Sequence, residues 1–183
     1  MKKPPVIFIL WGLLLLVGGV AQAQLQDVTI TAARQRVNQE TSRPGGNLTV
    51  TTKEIIYNVT VQNKTFKPIT DLQVKYMIFY KDPHAGSTGK AVNLSSTGME
   101  SIPLVEANRA ATFATKSLKL QSESLDAGYF YVNGGASNAS DKVVGVWFRA
   151  YANGKMIGEY VNLSNIAKSE EWKEPSTPSP DGQ

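Results

Sequence analysis

The longest regular alternation in the chain runs from Asp71 to Tyr80, where Leu72, Val74, Tyr76, Ile78 and Tyr80 alternate with Gln73, Lys75, Met77 and Phe79. Successive side chains of a strand point to opposite faces, so this period of two predicts a β-strand. A second pattern, Lys142 to Val161, places Asn153-Gly154 between two apolar-rich runs. Asn-Gly suits a type I′ turn because both central residues need a positive φ, and the segment therefore predicts a β-hairpin. A two-residue loop sets Tyr151 opposite Met156, Arg149 opposite Gly158, Trp147 opposite Tyr160 and Val146 opposite Val161. One face then carries Val144, Val146, Phe148, Ala150, Ile157 and Val161. The other carries Trp147, Arg149, Tyr151, Met156 and Tyr160, and neither is plainly polar.

Elsewhere the pattern is shorter. Val28 to Ala32 alternates and continues weakly through Arg34, Arg36 and Val37 before Pro44-Gly45-Gly46 breaks it. Asn47 to Asn63 is rich in β-branched residues, with Tyr57, Val59 and Val61 on one face and Asn58, Thr60 and Gln62 on the other, which predicts a half-buried strand. Pro68 forces Lys67 towards an extended conformation after a turn. Ala91–Leu94 and Met99–Leu104 read as two short edge-like strands, Pro103 limiting pairing on one side. Arg109 to Leu120 is strand-like, but its apolar spacing slips between Phe113 and Leu118, which predicts a bulge or twist. Ser124 to Val132 reads as a further strand, and 133–140 as a loop.

No segment from Gln24 onwards sustains a period of 3.6 residues. About seven to eight short strands separated by Gly, Pro and Asn turns predict an all-β, antiparallel sandwich, favoured over an up-and-down barrel because strands and connections are uneven in length. The domain expected is 24–167, followed by a Pro/Ser-rich disordered tail over 168–183.

The N-terminus changes the compartment. Lys2 and Lys3, the apolar run Val6 to Val20 and the small-x-small motif Ala21-Gln22-Ala23 have the layout of a cleaved signal peptide over 1–23. The run is shorter than the roughly 20 residues that cross a bilayer, so no transmembrane segment is expected after cleavage. Export to the periplasm, the outer-membrane surface or the medium follows. The absence of cysteine rules out a lipid-modified cysteine and any disulfide, and points to a bacterial exported protein. Six Asn-x-Ser/Thr triplets begin at Asn47, Asn58, Asn63, Asn93, Asn138 and Asn162, which composition alone accounts for. Without Lys2 and Lys3, 17 basic residues face 15 acidic ones, so the net charge of +4 falls to +2. With no basic stripe, nucleic acid is not an expected partner.

Candidate chemistry is sparse. The chain has one histidine, His84, and no cysteine, so nucleophile–histidine arrangements have no support and no enzyme activity is expected. A zinc site lacks its ligands, and neither a metal nor a cofactor is expected. Gly86-Ser87-Thr88-Gly89-Lys90-Ala91 fails as a phosphate loop, because His84 stands where its first glycine belongs and Ala91 where its Ser or Thr belongs.

The informative candidate is the Trp147 face. Trp147, Arg149, Tyr151, Met156 and Tyr160, joined by Met77 and Phe79 if the long strand lies alongside, supply the residue types that anchor interfaces. The competing reading makes Trp147 the core tryptophan of the sandwich, with Arg149 at its rim. A third possibility is a carbohydrate platform made of Trp147, Tyr151 and Tyr160.

Between Asp27 and Asn165 the pattern resembles immunoglobulin-like sandwich domains. Leu125-Asp126-Ala127-Gly128-Tyr129-Phe130 is similar to the Asp-x-Gly-x-Tyr corner of antibody domains, with Phe130 at the tyrosine position and without the paired cysteines. Export signal, cysteine-free body and Pro-rich tail together resemble small envelope proteins of gut bacteria that accompany type IV pilus-like assemblies. That resemblance implies an accessory or adhesion-related component that binds protein partners at the cell envelope, with a glycan as the alternative ligand.

Overall fold

A computed structural model describes residues 26–163 and Trp172. The expected signal peptide and most of the expected tail lie outside the described residues. The described chain is all-β, with nine strands in two antiparallel sheets. The first sheet holds β1 (Val28–Ser42), β2 (Leu48–Asn63), β6 (Leu118–Leu125) and β7 (Asn138–Ser140) in that order, with β5 (Ala110–Ala114) also paired to β2. The second sheet runs β4 (Val92–Val105), β3 (Ile69–Asp82), β8 (Lys142–Ala152), β9 (Lys155–Leu163). With apolar faces turned together, the two sheets form the expected sandwich.

The core is the sum of the alternating faces. Val28 and Ile30 of β1, Ile55, Tyr57, Val59 and Val61 of β2, Leu72, Val74, Tyr76 and Ile78 of β3, and Val146, Phe148 and Ala150 of β8 are all buried in one cluster. Phe148 lies at its centre, fully buried, with ring centroids of Tyr76, Tyr160 and Tyr57 at 5.7, 6.2 and 6.4 Å. Burial raises the ionisation range of both Tyr57 and Tyr76 above that of a free tyrosine.

Two segments differ from the sequence expectation. Ala91–Leu94 and Met99–Leu104 belong to one continuous strand, β4, in register with β3 from Val92 to Val105. Gly98 permits this, because a Cβ there would stand 2.3 Å from the Tyr76 ring that lies across it. Of the strand expected from Ser124 to Val132, only Ser124 and Leu125 are strand, as the end of β6. β6 ends at Leu125, and Tyr129, Phe130 and Val132 stand out in the following loop, 57, 79 and 99 % exposed. The antibody-like corner is therefore absent: Phe130 packs into nothing, and a tyrosine corner needs that ring docked. Part of the stretch read as a loop, Asn138–Ser140, pairs as β7 instead.

The slip anticipated between Phe113 and Leu118 is present. Asn58 pairs Ala114 and Ile55 pairs Leu118, so one extra residue separates β5 from β6. Thr115, buried in the gap, accepts the Tyr57 amide at its Oγ1 (3.0 Å), which keeps β2 hydrogen-bonded across the break.

One triplet asparagine is structural. Asn63, fully buried, donates from Nδ2 to the carbonyls of Lys67, Val105 and Glu106 and accepts the Thr65 amide and hydroxyl at Oδ1. It ties the β2–β3 turn to the end of β4, and an acceptor this enclosed is closed to glycosylation in the folded chain.

Candidate functional site

The hairpin turn forms as the dipeptide demands, with φ of 50° at Asn153 and 73° at Gly154. Ala152 faces Lys155 and Tyr151 faces Met156, as the two-residue loop requires. Beyond that pair the register changes. Ala150 faces Gly158, Arg149 faces Glu159, Phe148 faces Tyr160 and Trp147 faces Val161, so Ile157 is an extra residue in β9. A one-residue slip turns every later side chain to the other face. Tyr160, expected beside Trp147, therefore packs against the core, and Val161, expected inward, stands outward at 46 % exposure. Glu159 takes the place expected for Gly158, opposite Arg149, and Val161 the place expected for Tyr160.

The reason for the bulge lies on the first strand of the other sheet. Val28 Cγ2 sits 2.3 Å from where a Cβ of residue 158 would stand, so glycine is required there and must face inward. Inward placement of Gly158 with Met156 still outward leaves Ile157 unpaired, packed against the core. A second bulge, at Val144, lets Val143 reach the main core while Val144 packs on the outer face.

These shifts assemble the outer face of the second sheet from cross-strand rows. Met77 lies between Thr97 and Trp147, Lys75 between Met99 and Arg149, and Gln73 between Ser101 and Tyr151. Met77 and Phe79 are 1 and 4 % exposed although they face away from the core, and Val144, Trp147 and Trp172 pack against them. Trp172 reaches the face from the C-terminal side, its ring centroid 5.3 Å from that of Trp147 in an edge arrangement. The Arg149 guanidinium lies 4.6 Å from the Trp147 ring and 4.5 Å from the Trp172 ring. Each such contact contributes roughly 0.5–1 kcal/mol where it is partly solvated.

Glu159 holds this arrangement in place. Its Oε1 accepts the Trp147 indole N–H at 2.8 Å and the Arg149 Nε–H at 2.8 Å. One carboxylate oxygen thus fixes the indole plane and the guanidinium that stacks on it, neutralising the charge where side chains are half-buried. Nearby, the Lys75 ammonium lies 5.1 Å from the Tyr151 ring. The neighbouring Met156 is 41 % exposed.

Of the seven residues singled out from the sequence, six lie on this face: Met77, Phe79, Trp147, Arg149, Tyr151 and Met156. Trp147 belongs to the outer face and not to the sandwich core. Tyr160 leaves the group because of the bulge, and the sugar platform of Trp147, Tyr151 and Tyr160 is divided between two faces of the sheet. Glu159 and Trp172 were missed. An Arg at 149 and a Glu ten residues on across a hairpin was a usable signal for the first; Trp172 carried none, because it stands in a polar context beyond the last strand.

Among the described residues no group of three or more His, Asp or Glu side chains is placed to hold a metal ion. The one histidine pairs loosely with Asp82, at 3.5 Å. No described helix is long and apolar enough to cross a membrane.

No protein-family model matches the chain, and no curated protein matches it. Solved structures give weak, fold-level likenesses. An X-ray structure of a Northeast Structural Genomics Consortium target shares 11% identity over 82% of this chain and 96% of its own, with a TM-score of 0.37. The putative ApaA protein from Bordetella pertussis shares 12% identity over 76% of this chain and 95% of its own, at a TM-score of 0.33. A protein from Akkermansia muciniphila shares 13% identity over 81% of this chain and 78% of its own, at 0.27.

Proposed function

We propose that this protein is an exported bacterial cell-envelope module that works by protein–protein contact, in a pilus-associated or adhesive assembly, with the outer face of the second sheet as its contact surface. The observation that carries the reading is the second apolar cluster. A sandwich of this size needs one core, yet Met77 and Phe79 are buried on the far side of the sheet beside Trp147, Arg149 and Trp172. Aromatic and arginine side chains, here held in place by half-buried hydrogen bonds to Glu159, are the residue types that dominate binding energy at interfaces. The N-terminal signal-like segment and the absence of cysteine support the compartment.

Cross-linking of intact cells, followed by affinity isolation and mass spectrometry, tests this. The expected result is recovery with filament or outer-membrane components, lost in an Arg149→Glu variant whose melting is close to that of the parent. Recovery of the protein alone in a soluble fraction would overturn it.

A further inference from the structure

The alternation that begins β1 continues past the core. Val28, Ile30 and Ala32 face inward, and the next two residues of that face are Arg34 and Arg36, which lie in register with the buried Tyr57 and Ile55. On β2 the same face continues from Ile55 to Lys53, opposite Leu120 of β6. The inner face of the first sheet therefore passes from aliphatic to cationic at one end of the sandwich. Lys142, at the start of β8, closes the other side.

Together they line a cleft of about 430 Å³ whose floor is Ile55, Leu120 and Val143. The size is that of a small-ligand site. A second recess of about 280 Å³ adjoins it, Arg34 and Val143 lining both. Arg34 is close enough to the Tyr57 hydroxyl to oppose the effect of burial there.

Charge is the telling feature. Four cationic side chains and one carboxylate, that of Asp141, line the cleft. None of the four cations forms an ion pair among the described residues, although the Arg36 guanidinium donates to Gln39 Oε1 at 2.7 Å. Asp141 is already engaged, accepting the Gln121 amide at 2.7 Å. An excess of three positive charges is thus collected in one recess of a chain that is otherwise nearly neutral. A cleft lined by one sign of charge focuses a field that draws in counter-ions, so the convergence of these cations on a concavity points to an anionic ligand.

We propose that this cleft binds a saccharide carrying two phosphate groups, either free or as the headgroup of a lipid. Arg34 and Arg36 are about 7 Å apart along the strand, and Lys53 is a similar distance away across the pair. That spacing suits two anionic groups better than one. Two phosphate monoesters bring about three to four negative charges, matching the excess, and guanidinium groups bind each in bidentate fashion. Ser122 and Ser140 also line the cleft; their hydroxyls make only long contacts, 3.5 Å each, to the Thr51 and Asp141 carbonyls, which leaves their oxygens to accept from sugar hydroxyls, and the aliphatic floor suits the C–H face of a ring. The loop after β6, with Phe130 and Val132 exposed, begins at Asp126, four residues beyond Ser122 of the cleft. An apolar tip beside a phosphate site is the layout a lipid-linked headgroup would use.

Calorimetry of the full chain with fructose bisphosphate, with fructose as control, tests the cleft. Flotation with phosphatidylcholine vesicles containing or lacking diphosphoryl lipid A tests the lipid source. The phosphorylated sugar or the lipid A vesicles should bind, fructose and plain vesicles should not, and affinity should fall steeply with salt. Replacing Arg34→Gln together with Lys53→Gln should lower affinity at least about tenfold, the effect of losing charge-assisted hydrogen bonds. Arg36→Gln with Lys142→Gln serves as an independent pair should the first alter melting, and Lys64→Gln, in the turn after β2 and outside the cleft, should change nothing. Binding of lipid A vesicles by the parent that is lost in Phe130→Ser with Val132→Ser would assign the lipid source; binding of fructose bisphosphate by the parent without binding of the lipid A vesicles would assign the free one. Failure of both phosphorylated probes, equal binding of fructose, or full retention of affinity in both cleft variants would overturn the proposal.

Discussion

On the inner side of the second sheet, Phe148 is fully buried among Tyr57, Tyr76 and Tyr160. One residue earlier and on the opposite side, Trp147 is half-buried between Arg149, Trp172 and Met77. Both are large aromatic residues on the same strand, and the surroundings divide them. The inner ring is enclosed by two sheets, and whatever replaces it leaves a cavity. The outer ring is held by one sheet, one cation, one carboxylate and one tryptophan from the C-terminal side, each of which water can partly replace. The difference teaches that apolar burial on both faces of a strand does not mean two equivalent cores.

The largest test of this contrast is Phe148→Ala. Loss of a fully enclosed ring should cost about 3–5 kcal/mol in chemical denaturation. A cost close to that of an outer-face change would erase the distinction. Next comes Gly158→Ala, which puts a Cβ where Val28 now lies and should cost about 1–3 kcal/mol through overpacking. A neutral result would mean that β1 does not press on β9 and that the bulge has another origin.

Trp172→Ala should be milder, about 1 kcal/mol or less, since the ring's contacts are offset by the entropy of holding the C-terminal segment. Its signature is a change in the fluorescence of Trp147 with little change in the denaturation midpoint. A cost of about 3 kcal/mol or more would show that the outer cluster is a second core. The smallest effect is expected at Asp141, far from both rings. Burial, with Asp82 alongside, raises its carboxyl above the ordinary aspartate range, although the Gln121 amide acts against that. The folded state then holds a proton that the unfolded state has released, so stability falls as pH rises from the unfolded value of 3.8 through the folded one. Asp141→Asn should raise melting slightly at neutral pH, and the gain should vanish below about pH 4. A gain that persists in acid would assign the effect to something other than this ionisation.

Particular residues mark how much was legible in the sequence. Period-two patterns placed β1, β2 and β3, because the inward residues of each recur at every second position, and the Asn153-Gly154 turn between two apolar runs placed the β8–β9 hairpin. Asp126 to Val132 misled, since a run of aromatic residues signals a strand only if a neighbour is there to pair with it, and none of the described strands is. Ala91–Leu94 and Met99–Leu104 looked separate because the residues joining them, Ser95 to Gly98, carry little apolar signal; their pairing with β3 joins them. Most of the candidate face was found from the types of Trp147, Arg149, Tyr151 and Met77, while its membership turned on one residue of register.

The sequence by itself determined the class of fold, the hairpin turn and the fact that both faces of β8 would seek cover. Those are local properties, settled by alternation and by the positive φ that Asn153 and Gly154 accept. Tertiary structure alone decided which face is core. The close approach of Val28 to Gly158 inserts Ile157 as a bulge, sends Tyr160 inward and brings Glu159 to Trp147 and Arg149. No local pattern carries that choice, because it depends on a contact between residues 130 positions apart in the chain.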